Sequence, residues 1–209
     1  MQRLPYKNIE VMDCPAAGSE IIKYMREQRH DFMNHVQVIW GYLQLDKPKN
    51  ALEYIVELNK KFTVFSQVFL IENPVLSLFL YKCIRRAYDL DISIDFDLEA
   101  LNLENFLAHE YSKKLIIMED LFGELINRIT KDNGDKNIYI DVYNDEETLF
   151  IAFSNNCYDD WELPEELYKH DGTALDNLLE NAYKLGIKAS CRFDEEIAAV
   201  RIGLLPEKL

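Results

Sequence analysis

Residues 29–37 read RHDFMNHVQ and lie in the middle of a long helical pattern. Apolar residues recur every three or four positions on both sides of this stretch, and Arg29 occupies the one missing step. The apolar positions are Ile22, Met25, Phe32, Val36, Ile39 and Leu43. This spacing is typical of a helix that packs along one seam against other helices. The stretch therefore predicts a long amphipathic helix that carries His30 on the flank of its seam.

A second seam follows a short break at residues 46–50, where Pro48 cannot continue the first helix. Its apolar positions are Ile55, Leu58, Phe62, Phe65 and Phe69. Two antiparallel helices joined by a short turn form a helical hairpin. A single hairpin leaves much of this apolar surface uncovered, so we expect a homodimer in which two hairpins form a four-helix bundle. The alternative is that the C-terminal part of the same chain covers the seam.

The remainder of the chain predicts an α/β domain. Asn73 and Pro74 precede a helix, and alternating apolar and polar residues predict strands at 91–98, 137–143, 148–154, 187–193 and 197–205. Further helices are expected at 109–131 and 172–185. The expected fold class is α plus α/β, with helices on one face of a mainly antiparallel sheet. The expected domains are an N-terminal arm at 1–18, the hairpin at 19–72 with Ser19 as its N-cap, and the α/β domain at 73–209.

Composition narrows the possible locations and partners. The net charge of −14 argues against a nucleic-acid partner, because binding to a phosphate backbone needs a basic face. The most apolar region, residues 62–81, falls short of the roughly 18 unbroken apolar residues of a membrane span. Residues 1–15 lack the pattern of a signal peptide. The four scattered cysteines suit free thiols in a reducing compartment and offer no metal-ligand spacing. We therefore expect a cytoplasmic protein with no metal site of its own.

The histidine stretch also has a chemical interpretation. At about 100° per residue, His30, Asn34 and Gln37 fall on one face of the helix. An exposed imidazole can act as a nucleophile, and Asp31 beside it can accept a hydrogen bond from the ring and fix its tautomer. Arg29 offers donors that suit a phosphoryl oxygen. A solvated His–Asp pair without function would have the same local sequence.

The other histidines receive no catalytic role. His35 lies about 140° round the helix from His30, and we expect it to have a structural role. His109 starts a predicted helix, and His170 lies in an acidic loop.

Residues 29–37 resemble the phosphoacceptor box of the sporulation-type sensor-kinase family. The pattern of that box is Arg-His-Asp, an aromatic or hydrophobic residue, any residue, Asn, any residue, a hydrophobic residue and Gln. The resemblance implies that His30 is phosphorylated and that Arg29, Asp31 and Asn34 surround it. It also implies that two hairpins form a dimeric four-helix bundle, with the histidine projecting from its side.

The second domain resembles the ATP-binding domain of histidine kinases but departs from it in both nucleotide-binding boxes. By this resemblance Arg128 occupies the position of the magnesium ligand, four residues after Glu124, and a cation cannot hold a metal. The glycine box reads GTALD at residues 172–176, where only Gly172 remains. Ala174 adds a Cβ, and Asp176 adds negative charge where a triphosphate would sit. The loop at 155–171 is also acidic. The resemblance thus implies a degenerate domain that binds no cofactor.

The expected function is that of a histidine phosphotransferase without ATP-dependent kinase activity. It would relay a phosphoryl group from the aspartate of one response-regulator receiver domain to that of another, through phosphohistidine, in a two-component phosphorelay such as the one that initiates sporulation. The regulator would supply Mg²⁺. Two alternatives stay open: a soluble sensor histidine kinase with a weak ATP site, and a module that binds regulators without passing phosphate.

Overall fold

The computed structural model of the protein describes residues 15–100, 106–107, 111–131, 136–145, 147–156, 174–194 and 197–206. These residues form five helices and five strands. The chain divides into two compact units, Met1–Asn59 and Lys60–Leu209. The expected combination of a helical N-terminal region and an α/β domain is confirmed.

The first unit contains helix α1 (Pro15–Gln44) and the first half of helix α2 (Pro48–Phe69). Helix α1 begins four residues before Ser19, so the expected N-cap lies inside the helix and residues 15–18 are helical. Proline fits the first position of a helix because its missing N–H would have no partner there, and both α1 and α2 begin in this way. Residues 1–14 of the expected arm lie outside the described part of the chain.

The apolar seams of the two helices stay exposed in the single chain. Exposed seam residues are Ile22, Met25, Phe32, Val36, Leu43, Ile55, Phe62 and Phe69. Met25 and Phe69 are each more than 60% exposed, at 63% and 64%. A helix face without a partner rarely exposes this much apolar surface, and an apolar surface of this size usually marks a contact with another protein.

Helix α2 continues into the second unit, where it presents a different apolar face. Val64 and Val68 are buried, and the Phe65 ring lies 5.4 Å from that of Tyr81, centroid to centroid. The Ser77 hydroxyl donates to the Val68 carbonyl at 3.0 Å. The division between the two compact units falls inside α2, after Asn59. The boundary expected at 72/73 from Asn73 and Pro74 stays a prediction.

Helix α3 (Pro74–Tyr88) is held at its N-terminus by Asn73. The side-chain oxygen of Asn73 accepts hydrogen bonds from the backbone N–H groups of Val75 and Leu76, both at 3.0 Å. Its amide nitrogen donates to the carbonyl of Phe106 at 2.6 Å. Asn73 is buried, with 4% of its surface exposed. One side chain thus caps the helix and also ties it to a distant loop.

The sheet contains β1 (Ser93–Leu98), β2 (Asn137–Asp145), β3 (Thr148–Ser154), β4 (Ile187–Phe193) and β5 (Ala198–Leu204), in the spatial order β1-β2-β3-β5-β4. β1 and β2 are parallel, since α4 (Tyr111–Ile129) connects them, and the other three pairings are antiparallel. Both predicted hairpins are present. Gly186, with φ 73°, ends α5 (Ala174–Lys184) in the left-handed conformation that favours glycine.

Helices α3, α4 and α5 pack on one face of this sheet. Aromatic rings fill the centre of that layer. Phe122 and Phe153 have ring centroids 5.0 Å apart, and Phe79 meets Phe153 edge to face at 6.2 Å. All three are essentially fully buried. Within the described residues, no helix combines the length and hydropathy needed to cross a membrane.

The two roles of Asn73 predict separable losses of stability. We expect Asn73→Ala to lower the free energy of unfolding by about 2 kcal/mol, because the cap and the bond to Phe106 are both lost. Asn73→Ser retains a capping oxygen but cannot reach Phe106, so it should lose about half as much. Urea unfolding measures both changes. The exposed Asn127→Ala serves as the control and should stay within about 0.5 kcal/mol; equal losses for Ala and Ser at position 73 would contradict the capping role.

Candidate functional site

His30 lies on α1 with its side chain open to solvent. The side chain is 73% exposed, and that of Asp31 is 49% exposed. His30 lies about 120° round the helix from Val36, so it flanks the seam rather than filling it. An imidazole in this position can meet a second protein without movement of the helix.

Two neighbours on the same helix approach the same ring nitrogen of His30. The amide nitrogen of Asn34 lies 3.1 Å from Nδ1, one turn along the helix. A carboxylate oxygen of Asp31 lies 3.7 Å from Nδ1, which is an ion-pair distance but too long for a hydrogen bond. The expected hydrogen bond from the ring to Asp31 is therefore absent from this conformation, and Asn34 takes its place. Nε2 has no hydrogen-bond partner within the described part of the chain.

The neighbours of Nδ1 influence the ring tautomer, and the tautomer decides which nitrogen can act as the nucleophile. An amide N–H donates, so Nδ1 accepts and Nε2 carries the ring proton in the conformation described. Attack through Nε2 needs the other tautomer, in which Nδ1–H donates to an oxygen. Asp31 supplies such an oxygen after a small rotation, and Asn34 supplies one after its amide turns over. The pair can thus hold either tautomer while Nε2 stays accessible.

Arg29 and His35 occupy different sides of the helix from His30. Arg29 is exposed and lies about 100° from His30, within the seam. His35 is half-buried, and its Nδ1 shares a hydrogen bond with the Tyr54 hydroxyl at 2.6 Å, which links α1 to α2 within the first unit. The ring of Tyr54 also contacts that of Tyr42, at 6.4 Å between centroids.

The structure adds residues to the His30 face that the sequence analysis passed over. Gly41 lies about 20° from His30 in projection and three turns further along α1, flanked by Val38 and Leu45 at about 80° and 60°. Val38 is 40% exposed and Leu45 67% exposed. No heavy atom lies within 4 Å of a Cβ built on Gly41, so packing within the chain does not require a glycine there. A glycine in a helix interior costs about 1 kcal/mol relative to alanine. Its presence within the predicted helix was the feature of the sequence that could have pointed to this position.

Two of the residues at the expected nucleotide site, Arg128 and Asp176, are engaged in packing. The guanidinium of Arg128 lies over the ring of Phe193, 5.1 Å from its centroid. Asp176 is buried in the first turn of α5, where its charge suits the helix dipole. Ala174 is the first residue of that helix and is exposed, and Glu124 is half-exposed on α4. Gly172 and most of the acidic loop at 155–171 lie outside the described residues, as do His109 and His170.

Residues 17–71 match the family model of the sensor-kinase SpoOB-type alpha-helical domain. The family expected from residues 29–37 is thereby confirmed for the hairpin. The matched segment includes His30, Asn34 and Gly41, and it ends two residues before Asn73.

Two probable C4-dicarboxylate sensor kinases are similar over a longer stretch. The one from Bacillus subtilis is 27% identical over 143 residues, which cover 65% of this chain and 26% of that protein. The one from Halalkalibacterium halodurans is 25% identical over 129 residues, which cover 61% and 24% respectively. The chain thus spans about a quarter of the length of these curated relatives.

Solved histidine kinases resemble the chain more distantly. The Acinetobacter baumannii histidine kinase AdeS aligns over 86% of this chain and 98% of its own, with 11% identity and a TM-score of 0.40. Histidine kinase ThkA, solved in complex with the response regulator TrrA, aligns over 88% of this chain and 61% of its own, with 13% identity and a TM-score of 0.43. TM-scores this low carry no argument about function.

Proposed function

We propose that this chain, whose helical hairpin is a SpoOB-type sensor-kinase alpha-helical domain, is a histidine phosphotransferase of two-component signalling. It takes a phosphoryl group from the aspartate of one response-regulator receiver domain and passes it to that of another. The observation that carries the proposal is His30, exposed on the flank of α1 with Nε2 open and Nδ1 held by its own helix. The same transfer reaction serves a phosphorelay that initiates sporulation or one that controls another response.

The chemistry balances with the groups of this chain and its partner. In the tautomer that carries its proton on Nδ1, Nε2 of His30 attacks the phosphorus of an aspartyl phosphate, so an N–P bond forms while the bond from phosphorus to the carboxylate oxygen breaks. The carboxylate leaves with the electron pair, and the ring proton stays on Nδ1. The second receiver aspartate reverses these steps. Mg²⁺ held by the receiver domain neutralises the charge of the transferring group.

The residues at the expected nucleotide site support transfer without ATP. Arg128 places a cation where a magnesium ligand is needed, and its guanidinium already stacks on Phe193. Asp176 places a buried carboxylate in the first turn of α5, where its charge would repel a triphosphate. These residues do not fit a nucleotide with its magnesium ion, so the phosphoryl donor in this proposal is another protein.

A second copy of the chain fits the exposed seam. The seam residues of α1 and α2 are apolar and exposed along both helices. A homodimer that forms a four-helix bundle would cover them and leave the His30 face outside, because that face lies more than a quarter turn away from the seam. The receiver domain would then meet His30, Asn34 and Gly41 from the side of the bundle.

His30 itself provides the direct test. Incubation with a phosphorylated receiver domain should give acid-labile, base-stable label on the wild type and none on His30→Ala. His35→Gln is the matched control on the same helix and should keep the label, since His35 faces α2. Label that persists in His30→Ala, or a wild type that never accepts it, would contradict the proposal.

Titration calorimetry with ATP and Mg²⁺ separates the first alternative, a soluble sensor histidine kinase with a weak ATP site. We expect no measurable heat of binding, and no label on His30 from γ-labelled ATP. Binding together with labelling would favour the kinase instead. The second alternative, a non-catalytic module, predicts that receiver binding survives His30→Ala while no variant, nor the wild type, passes phosphate.

Gly41 tests the docking surface independently of the chemistry. Gly41→Ala should raise the stability of α1 by up to about 1 kcal/mol, because alanine is the better helix former and the space is open. Gly41→Leu should fold equally well but slow labelling by a receiver roughly tenfold or more, since the larger side chain holds the partner away from His30. Thermal unfolding and initial rates of labelling measure the two effects.

Glu53→Leu, an equally large substitution at an exposed position of α2, serves as the control and should leave the labelling rate unchanged. Full-speed transfer by Gly41→Leu would show that the receiver does not approach this part of α1.

A further inference from the structure

The sheet has a second face, opposite the helices, which we call the open sheet face. Ile138, Ile140 and Val142 of β2 are buried under the helical layer. The alternate residues of the same strand, Tyr139, Asp141 and Tyr143, point the other way and are half-exposed. A sheet face that carries charges and aromatic rings in an ordered pattern is a candidate for contact with another protein.

Acidic residues gather on the β1–β2 side of the open sheet face. Asp97 pairs directly with Asp141 in the parallel ladder, and Asp95 and Glu99 lie on the same side of β1 and its extension. Partial burial, followed by the charges of Asp97, Asp95 and Glu99, raises the pKa of Asp141. Like charges directly opposite each other destabilise a sheet. This side of the face therefore favours a cation from outside.

Basic residues occupy the opposite side of the same face. Arg201 lies on β5, and Lys188 and Arg192 lie on the edge strand β4. The guanidinium of Arg201 rests over the Phe150 ring at 5.2 Å from its centroid, and Nε of Arg192 lies 2.8 Å from a carboxylate oxygen of Asp194. The open sheet face thus changes from negative to positive across its five strands.

Between the two charged sides lie two aromatic rings and the small, uncharged side chains of β3, among them the buried Thr148 and Ser154. The rings of Tyr143 and Phe150 stack with 5.4 Å between centroids and 26° between planes. Phe150 lies across β5 so closely that a Cβ on Gly203 would come within 2.8 Å of its ring. Ala152, on the central strand β3, is fully buried beneath its longer neighbours. An apolar centre with a charged rim is the usual anatomy of a protein–protein interface.

We infer that the open sheet face binds the open sheet face of a second copy of this chain, about a two-fold axis that runs along β3. Such an axis exchanges β2 with β5 and β1 with β4. In the observed register Asp141, Ala152 and Arg201 lie side by side in one row across the sheet. The axis passes over Ala152, at the centre of this row, so Asp141 of one copy faces Arg201 of the other.

The neighbouring rows match in the same way. Asp95 lies in register with Tyr139, Ser154, Ala199 and Arg192, which places Asp95 opposite Arg192 of the second copy. Glu99, one step beyond the last pair of β1, comes opposite Lys188. Three acid–base pairs, each formed twice, surround the aromatic centre. The residues of this contact are different from those of the seam of α1 and α2.

Charge reversal on the full-length chain tests this pairing. Sedimentation velocity should show an association step beyond the one that the hairpin supports, weaker at high salt because exposed pairs are screened. Asp141→Arg and Arg201→Asp should each weaken that step by at least about tenfold. An equimolar mixture of the two variants restores both pairs and should associate within about threefold of the wild type. Asp120→Arg on α4 and Lys131→Asp just beyond it are controls of equal charge change, and both positions are exposed.

The mixture distinguishes pairing between copies from effects within one chain. Variants that weaken association singly and are not rescued by mixing would overturn the inference, as would a wild type with no salt-sensitive step. Loss of an interaction by Asp141→Arg alone, with Arg201→Asp unaffected, would assign the acidic side to a basic partner of another kind and equally overturn it. Circular dichroism checks folding, and the neutral variants Asp141→Asn and Arg201→Gln replace any reversal that unfolds, with smaller losses in the same direction.

Discussion

The position of His30 depends on the apolar seam along α1. Seam residues recur every three to four positions from Ile22 to Leu43, and a surface of this kind must be covered by other helices. Whatever covers the seam fixes which side of α1 remains outside. His30 follows Arg29, the one polar residue in the seam, and so lies about 100° away from it. Because Arg29 in the seam and His30 are neighbours in the sequence, a change in the heptad register would also move His30 relative to the seam.

Helix α2 has two apolar faces, but the sequence pattern predicted only one of them. Its seam residues Phe62 and Phe69 follow the heptad spacing and stay exposed, whereas Val64 and Val68 lie on another face and are buried against the second unit's own residues. The periodicity identified the first face, but the second adds only two aliphatic residues and leaves no clear period. Strands were predicted closely because alternation and turn residues fix them locally. The parallel pairing of β1 with β2 is different, because α4 separates the two strands in the sequence and no local pattern specifies their pairing.

The candidate site shows the same division between local and three-dimensional information. Residue types at 29–37 were enough to select His30, since an exposed imidazole next to a carboxylate and one turn from an amide is visible in the sequence. The preference of Nδ1 for Asn34 over Asp31 was not predictable, because it depends on side-chain rotation on an exposed helix face. Gly41 was visible as a glycine inside a helix, but only the empty space around it separates a docking role from a packing role.

Packing between the helices and the sheet holds the second domain together. Its core is an apolar layer of buried rings and aliphatic side chains around Phe79, Phe122 and Phe153. Two residues of the expected nucleotide site take part in this packing: Arg128 lies over the ring of Phe193, and Asp176 is buried in the first turn of α5. On the proposed function this domain binds no nucleotide, and its surface is then the part under functional constraint. The sorting of acidic and basic side chains to opposite sides of the open sheet face is what such a constraint would produce, because the helical layer on the other side of the sheet does not require it.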